Sequence, residues 1–184
     1  MARLASLNVA PPREVLWRGR KVRTAIFKEP VPGPLALSRL HLDGDGVADP
    51  RYHGGPDKAV YAYPAEHYPF WAAELSRRDL AYGTFGENFT TEGLLETEVR
   101  IGDVFDVGGA RVQVTMPRTP CAKLGMRMGF MAFVRDFRAS GRSGFYLRVL
   151  REGLVAPGDA IVRVATDPSQ PSVADSFRAS ADGN

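Results

Sequence analysis

Two short alternating runs, Val104–Val107 and 110–115, are separated only by Gly108-Gly109, and no other stretch restricts the chain as strongly. A two-residue glycine turn leaves the flanking segments little choice but to pair as antiparallel neighbours. Met116-Pro117 follows, and proline, lacking an N–H, stops the ladder. The hairpin therefore delivers Pro117-Arg118-Thr119-Pro120-Cys121-Ala122-Lys123-Leu124, which holds the only cysteine of the chain. Thr119-Pro120 reads as an N-cap and first helical position, placing Cys121 second in a helical turn. Unpaired amides and the cations of Arg118 and Lys123 would then favour a thiolate, with an apparent pKa below the usual value of about 8.5. A thiolate so placed is a nucleophile or a soft-metal ligand; the competing reading is a small buried apolar side chain.

Nineteen glycines and fourteen prolines call for many turns, and so for a strand-rich fold with a few peripheral helices over a helical bundle. A chain of 184 residues suffices for one domain with a proper core. We place that domain over residues 1–165 and a mobile tail over 166–184, where Pro, Ser, Asp and Ala dominate. A single cysteine excludes an internal disulfide framework and fits a reducing compartment. A formal charge of +3 is too small to make nucleic acid the main partner, yet it suits a small anionic ligand. No apolar run approaches a membrane span and the first ten residues lack a signal peptide's apolar core, so a cytoplasmic location is expected.

Taken in order, Arg3–Val9 reads as a strand and 15–27 as a hairpin turning at Gly19. Its Arg18, Arg20, Lys21 and Arg23 suggest a polyanion site, but a solvated hairpin tip is the preferred reading. Residues 28–34, with three prolines, should be irregular, and 35–42 a strand. Asp43-Gly44-Asp45-Gly46 resembles the start of a calcium loop, but Val47 and Gly54 stand where ligands are required, which rejects calcium. The same loop presents Arg51, His53 and Lys58, with Gly54-Gly55 allowing close backbone approach to a ligand. A strand over 59–63, a helix over 64–75 with His67 in a structural role, and a glycine-punctuated loop 82–90 follow. Phe130, Phe133, Val134 and Phe137 predict one helix closed by Ser140-Gly141, after which Gly141-Arg142-Ser143-Gly144 offers amides and an arginine to an anion. The last strands are expected at 145–150 and 160–164.

Five of these pieces together resemble the MOSC domain (molybdenum cofactor sulfurase C-terminal domain), and within it the stand-alone bacterial, YiiM-like subgroup. They are Asp43-Gly44-Asp45-Gly46, Arg51-Tyr52-His53-Gly54-Gly55-Pro56-Asp57-Lys58-Ala59-Val60, Phe85-Gly86-Glu87-Asn88, Pro117–Leu124, and Ser140-Gly141-Arg142-Ser143-Gly144-Phe145-Tyr146, in the family's order. The resemblance implies a β-barrel-like fold, a molybdenum cofactor (molybdopterin) whose metal is ligated by Cys121, and reduction of N-hydroxylated compounds such as hydroxylamines and hydroxylamino-purines. Arg51, Lys58, Arg118, Lys123, Arg142 and Ser143, with Gly54, Gly55 and Asn88, are the candidates for holding the cofactor, whose phosphate asks for guanidinium, ammonium and N–H donors. His53 titrates near neutrality and is the candidate to protonate the leaving hydroxyl. No iron–sulfur or flavin motif is present, so an external electron donor protein is expected as partner, beside the small N-hydroxylated substrate. Chains of this subgroup commonly continue into a helical bundle of which Pro171-Ser172-Val173-Ala174-Asp175-Ser176-Phe177 resembles the start, which leaves a homodimer open. Two other readings stay open: a cofactor or sulfur carrier using a Cys121 persulfide, and a metal-free enzyme with Cys121 as nucleophile and His53 as base.

Overall fold

The computed structural model describes residues 1–49 and 54–182. Twelve strands run in the order β1 (Arg3–Val9), β2 (Arg13–Trp17), β3 (Arg20–Thr24), β4 (Glu29–Val31), β5 (Leu35–Leu37), β6 (Val60–Pro64), β7 (Phe89–Glu92), β8 (Val104–Val107), β9 (Ala110–Pro117), β10 (Phe145–Arg151), β11 (Gly153–Val155) and β12 (Ile161–Ala165). Four helices are interspersed: α1 (His67–Glu74), α2 (Ala122–Met128), α3 (Phe133–Ser140) and α4 (Val173–Asp182). Eight strands make one mixed sheet in the order β12-β8-β9-β10-β6-β7-β1-β4, antiparallel throughout except for β6 beside β7.

The sheet is not closed into a barrel, since β12 and β4 are its two edges. It curls far enough for the start of β1 to meet the segment before β12. Leu4 N–H donates to Asp159 O, Gly158 N–H to Leu4 O, and Arg3 bridges Ala160.

Strand β6 has both faces buried, so its side chains alternate between two cores. Val60 and Ala62 join Leu4, Phe89, Val112 and Leu147 in an aliphatic core inside the curl. Tyr61 and Tyr63 point the other way, into an aromatic core with Trp71, Phe85, Phe133 and Phe137, covered by α1, α2 and α3. Trp71 Nε1 donates to the Tyr63 hydroxyl at 2.7 Å, which satisfies both polar tips inside that core.

Several expectations are corrected here. Residues 29–31 are a strand after all: β4 lies at the sheet edge opposite β1, with Pro30 facing Asn8, a position where a missing N–H costs nothing. The strand expected over 35–42 shortens to β5, which pairs with β11. The helix expected through Phe130–Phe137 begins only at Phe133, because Gly129 at φ 91° ends α2 and Phe130 turns out to solvent before α3 starts. The expected mobile tail is partly a docked helix. Ser172 Oγ accepts the Asp175 N–H at 3.0 Å as a cap, and Val173 and Phe177 of α4 are buried. No helix among the described residues is long and apolar enough to cross a membrane.

Candidate functional site: a cation-lined cavity at the cysteine

The β8–β9 hairpin forms as its sequence dictates, with Gly108 at φ 52° approaching the Leu154 carbonyl too closely for any side chain. Strand β9 runs on to Pro117, where Phe145 of β10 is its partner, and Arg118 N–H still donates to Gly144 O. The helix begins later than expected. Cys121 is itself the N-cap of α2, with extended backbone at φ −125° and ψ 170°, and Thr119 and Pro120 lie outside the helix. Proline biases the residue before it away from helical angles, which keeps Thr119 out of the helix, and the turn starts after Cys121. A seven-residue α2 supplies only a weak dipole, so the charges nearby matter more for the thiol.

The half-buried Cys121 lines a cavity together with Lys58, Asn88, Arg118, Lys123 and Gly54. The structure thus brings together six of the sequence-predicted residues from three separate segments. Arg118 is the most constrained. It is 5% exposed, its Nη1 donates to Phe85 O at 2.6 Å, and its guanidinium lies 4.5 Å from the Tyr61 ring centroid. Burial works against its charge, but the acidic groups of Tyr61, Tyr146 and Cys121 around it prevail and raise its pKa further. The guanidinium in turn attracts the anion of the sulfur. Burial raises the Tyr61 and Tyr146 hydroxyls despite Arg118, so both remain protonated. Tyr61 spends its O–H on the Ser143 carbonyl at 2.8 Å.

Asn88 borders the cavity but is a strut. Its Oδ1 accepts the Tyr61 N–H at 3.1 Å, and its Nδ2 donates to Asp45 Oδ2 at 2.8 Å and to Asn8 O at 3.3 Å. Gly54, at φ 80°, is needed because a Cβ there would fall 2.7 Å from Val47 Cγ2. Gly55, also at positive φ, precedes a single 3-10 turn over Pro56–Lys58 and is not among the cavity residues.

Arg142 and Ser143 are not brought to the cavity. The Arg142 guanidinium sits 3.6 Å over the Phe70 ring of α1, and Ser143 is fully buried with its Oγ on Gly144 O. Arg51 and His53 lie outside the described residues. His67 has the structural role expected of it, buried with Nε2 2.7 Å from Glu96 Oε2.

Sequence reasoning missed Lys28, Asp45, Tyr61, Tyr146 and His41, all of which line the cavity. Tyr61 carried a period-2 signal in β6, but Lys28 lies in a proline-rich segment with no pattern to mark it. Glu87 was also missed. It is completely buried, with Gly83 N–H, Tyr68 O–H and Thr90 O–H donating to Oε1 and Phe85 N–H to Oε2. Glu87 thereby shapes the loop whose Phe85 carbonyl holds Arg118.

Among the described residues no three His, Cys, Asp or Glu side chains come together to hold a bare metal ion. One thiol among several cations is a donor set for an anionic ligand that brings most of its own metal ligands. These residues fit a molybdenum–pterin group, which carries phosphate and dithiolene sulfurs.

The chain belongs to the MOSC domain family, whose model matches residues 49–162, a domain related to molybdenum cofactor sulfurases. Within that family it is YiiM-like. It is 50% identical over 153 residues to YflK of Bacillus subtilis (strain 168), covering 83% of this chain and 69% of that one. The crystal structure of YiiM from Geobacillus stearothermophilus superposes with a TM-score of 0.78 at 36% identity, over 95% of this chain and 80% of that one. A protein of Gibberella moniliformis (strain M3125 / FGSC 7600) named as a reductase is 35% identical over 146 residues, which are 78% of this chain but only 26% of that longer one.

Proposed function

We propose that the cavity receives a molybdenum cofactor through the Cys121 thiolate and that the domain reduces N-hydroxylated compounds, hydroxylamines and hydroxylamino-purines among them. The observation that carries this reading is the placement of the single thiol on a cavity shared with Lys58, Lys123 and the buried Arg118. Membership of the MOSC family and similarity to a reductase support an oxidoreductase. When bound, the cofactor supplies the two-electron redox chemistry. Converting R–NHOH to R–NH2 breaks one N–O bond, takes up two electrons and two protons, and releases water.

The protein's own groups hold and orient. Cys121 offers one soft anionic ligand, and the buried Arg118 on the same cavity favours that anion. Lys58 and Lys123 provide ammonium groups to a phosphate, each as a point charge. Arg51 and His53, which lie outside the described residues, complete the assignment: Arg51 for the phosphate, His53 giving a proton to the departing hydroxyl oxygen.

The test is Cys121→Ser made in a host that produces molybdopterin. A neutral hydroxyl is a poor soft-metal ligand, so molybdenum content and hydroxylamine turnover should fall together in a folded protein. Full metal occupancy with normal turnover would overturn the reading. His53→Ala should keep metal and pterin while turnover drops by about a hundredfold.

A further inference from the structure

The basic hairpin is a sequence feature that the cavity does not absorb. Arg13, Arg18, Arg20, Lys21 and Arg23 against Glu14 give residues 13–23 a charge of +4, more than the +3 of the whole chain. The structure makes these residues a two-stranded ribbon separate from the main sheet, turned by Arg18 at φ 50° and Gly19 at φ 76°. Its pairing puts Val15 opposite Val22 on the side packed against the aromatic core. The outward side therefore shows Glu14 opposite Arg23 and Leu16 opposite Lys21, with Leu16 74% exposed. Among the described residues only Lys21 of the five cations has a carboxylate within reach, Glu14 at 3.6 Å.

A second basic pair lies on the other side of the ribbon, that of Val15 and Val22, next to α2. Arg13 and Arg127 lie 4.8 and 4.9 Å from the centroid of the same Phe27 ring. Burial lowers the pKa of Arg127, and the like charge of Arg13 lowers it further. The ribbon itself adjoins the cavity, because Thr24, the last residue of β3, and Ala25 and Ile26 after it line that cavity.

We propose that the outward face of the β2–β3 ribbon is the docking surface for an acidic one-electron-carrier protein. The inference rests on the reductase reading above, which needs electrons from outside because one cysteine cannot build an iron–sulfur cluster within these residues. Charge complementarity selects an acidic partner and speeds its encounter. The exposed Leu16 at the centre of the cations favours a protein over a nucleic acid. A protein interface takes an apolar anchor inside a charged rim, whereas a phosphate backbone gives leucine nothing to contact.

The probe is a reduced plant-type [2Fe–2S] ferredoxin, with an acidic flavodoxin as a second carrier. Binding is measured by titration at low and at about 0.5 M salt, where exposed charges are screened. Wild type should bind at low salt and release at high salt. Lys21→Glu with Arg23→Glu should weaken binding about tenfold or more, and Lys21→Gln with Arg23→Gln by a smaller step in the same direction. Leu16→Ala should weaken it without changing the salt dependence. In turnover with hydroxylamine, the charge reversal should raise KM for the carrier yet leave the rate with dithionite-reduced methyl viologen unchanged. Carrier binding that is absent in wild type, or equal in wild type and the folded charge-reversal protein, overturns the proposal. So does a reversal that abolishes binding of a DNA oligonucleotide and spares the carrier. Wild type inactive with methyl viologen sinks the reductase reading by itself, and the binding titration still decides the surface.

Discussion

Lys28 Nζ is paired with Asp45 Oδ1 at the cavity wall, and only 8% and 7% of the two side chains are exposed. The same carboxylate accepts Ala10 N–H at 3.0 Å and Asn88 Nδ2 at 2.8 Å, so Asp45 ties three chain segments together. Burial lowers the Lys28 pKa and Asp45 opposes that shift. Removing one partner leaves the other charge buried and alone. Asp45→Asn should therefore cost about 3–5 kcal/mol in urea unfolding. Adding Lys28→Met should cost much less in that background than in wild type, a coupling read from the double-mutant cycle.

Arg118 and Cys121 give a second prediction. The guanidinium attracts the thiolate from a buried position that salt screens poorly. Arg118→Met, which keeps length and loses charge, should slow iodoacetamide alkylation of Cys121 at pH 7 about threefold or more. An unchanged rate in a folded variant would mean that the thiol does not feel the guanidinium.

Glu87 yields a pH dependence. Burial raises its carboxyl above the usual range despite its hydrogen-bond donors. The folded chain then holds this proton to higher pH than the unfolded chain does. Stability from Glu87 is accordingly full below about pH 4.5 and is lost as pH rises through the folded pKa. Glu87→Gln does not titrate, and its NH2 cannot accept the Phe85 N–H, which should cost about 1–3 kcal/mol. The stability gap between wild type and this variant should narrow as pH increases from 4.5. A gap that widens over that range would contradict the raised pKa.

Phe177 decides whether the C-terminal segment belongs to the domain. It is 4% exposed on α4, beside the fully buried Val173. Phe177→Ala should destabilise the whole protein by about 3–5 kcal/mol in a single cooperative transition. A loss confined to helical signal, with the main transition unmoved, would return the segment to an independent tail.

What the sequence by itself determined is what short-range rules govern. The β8–β9 hairpin, the β2–β3 ribbon and the arrival of Cys121 just past a strand end follow from alternation, glycine turns and proline. Each involves residues within a dozen positions of one another. Only the tertiary structure decided the rest. Pro30 sits in a strand because that strand is an edge, and α4 is ordered because Val99 and Glu96 accept its first N–H groups. Lys28 is buried because Asp45, seventeen residues away, meets it, and Arg118 is held by Phe85 and Tyr61 from two other segments. The sequence marked Arg142 and Arg118 alike as cations near glycine or proline. Folding set one on the Phe70 ring away from the cavity and the other in the cavity wall with the cysteine. Burial of a charge depends on which distant groups compensate its lost hydration, and no local pattern encodes that.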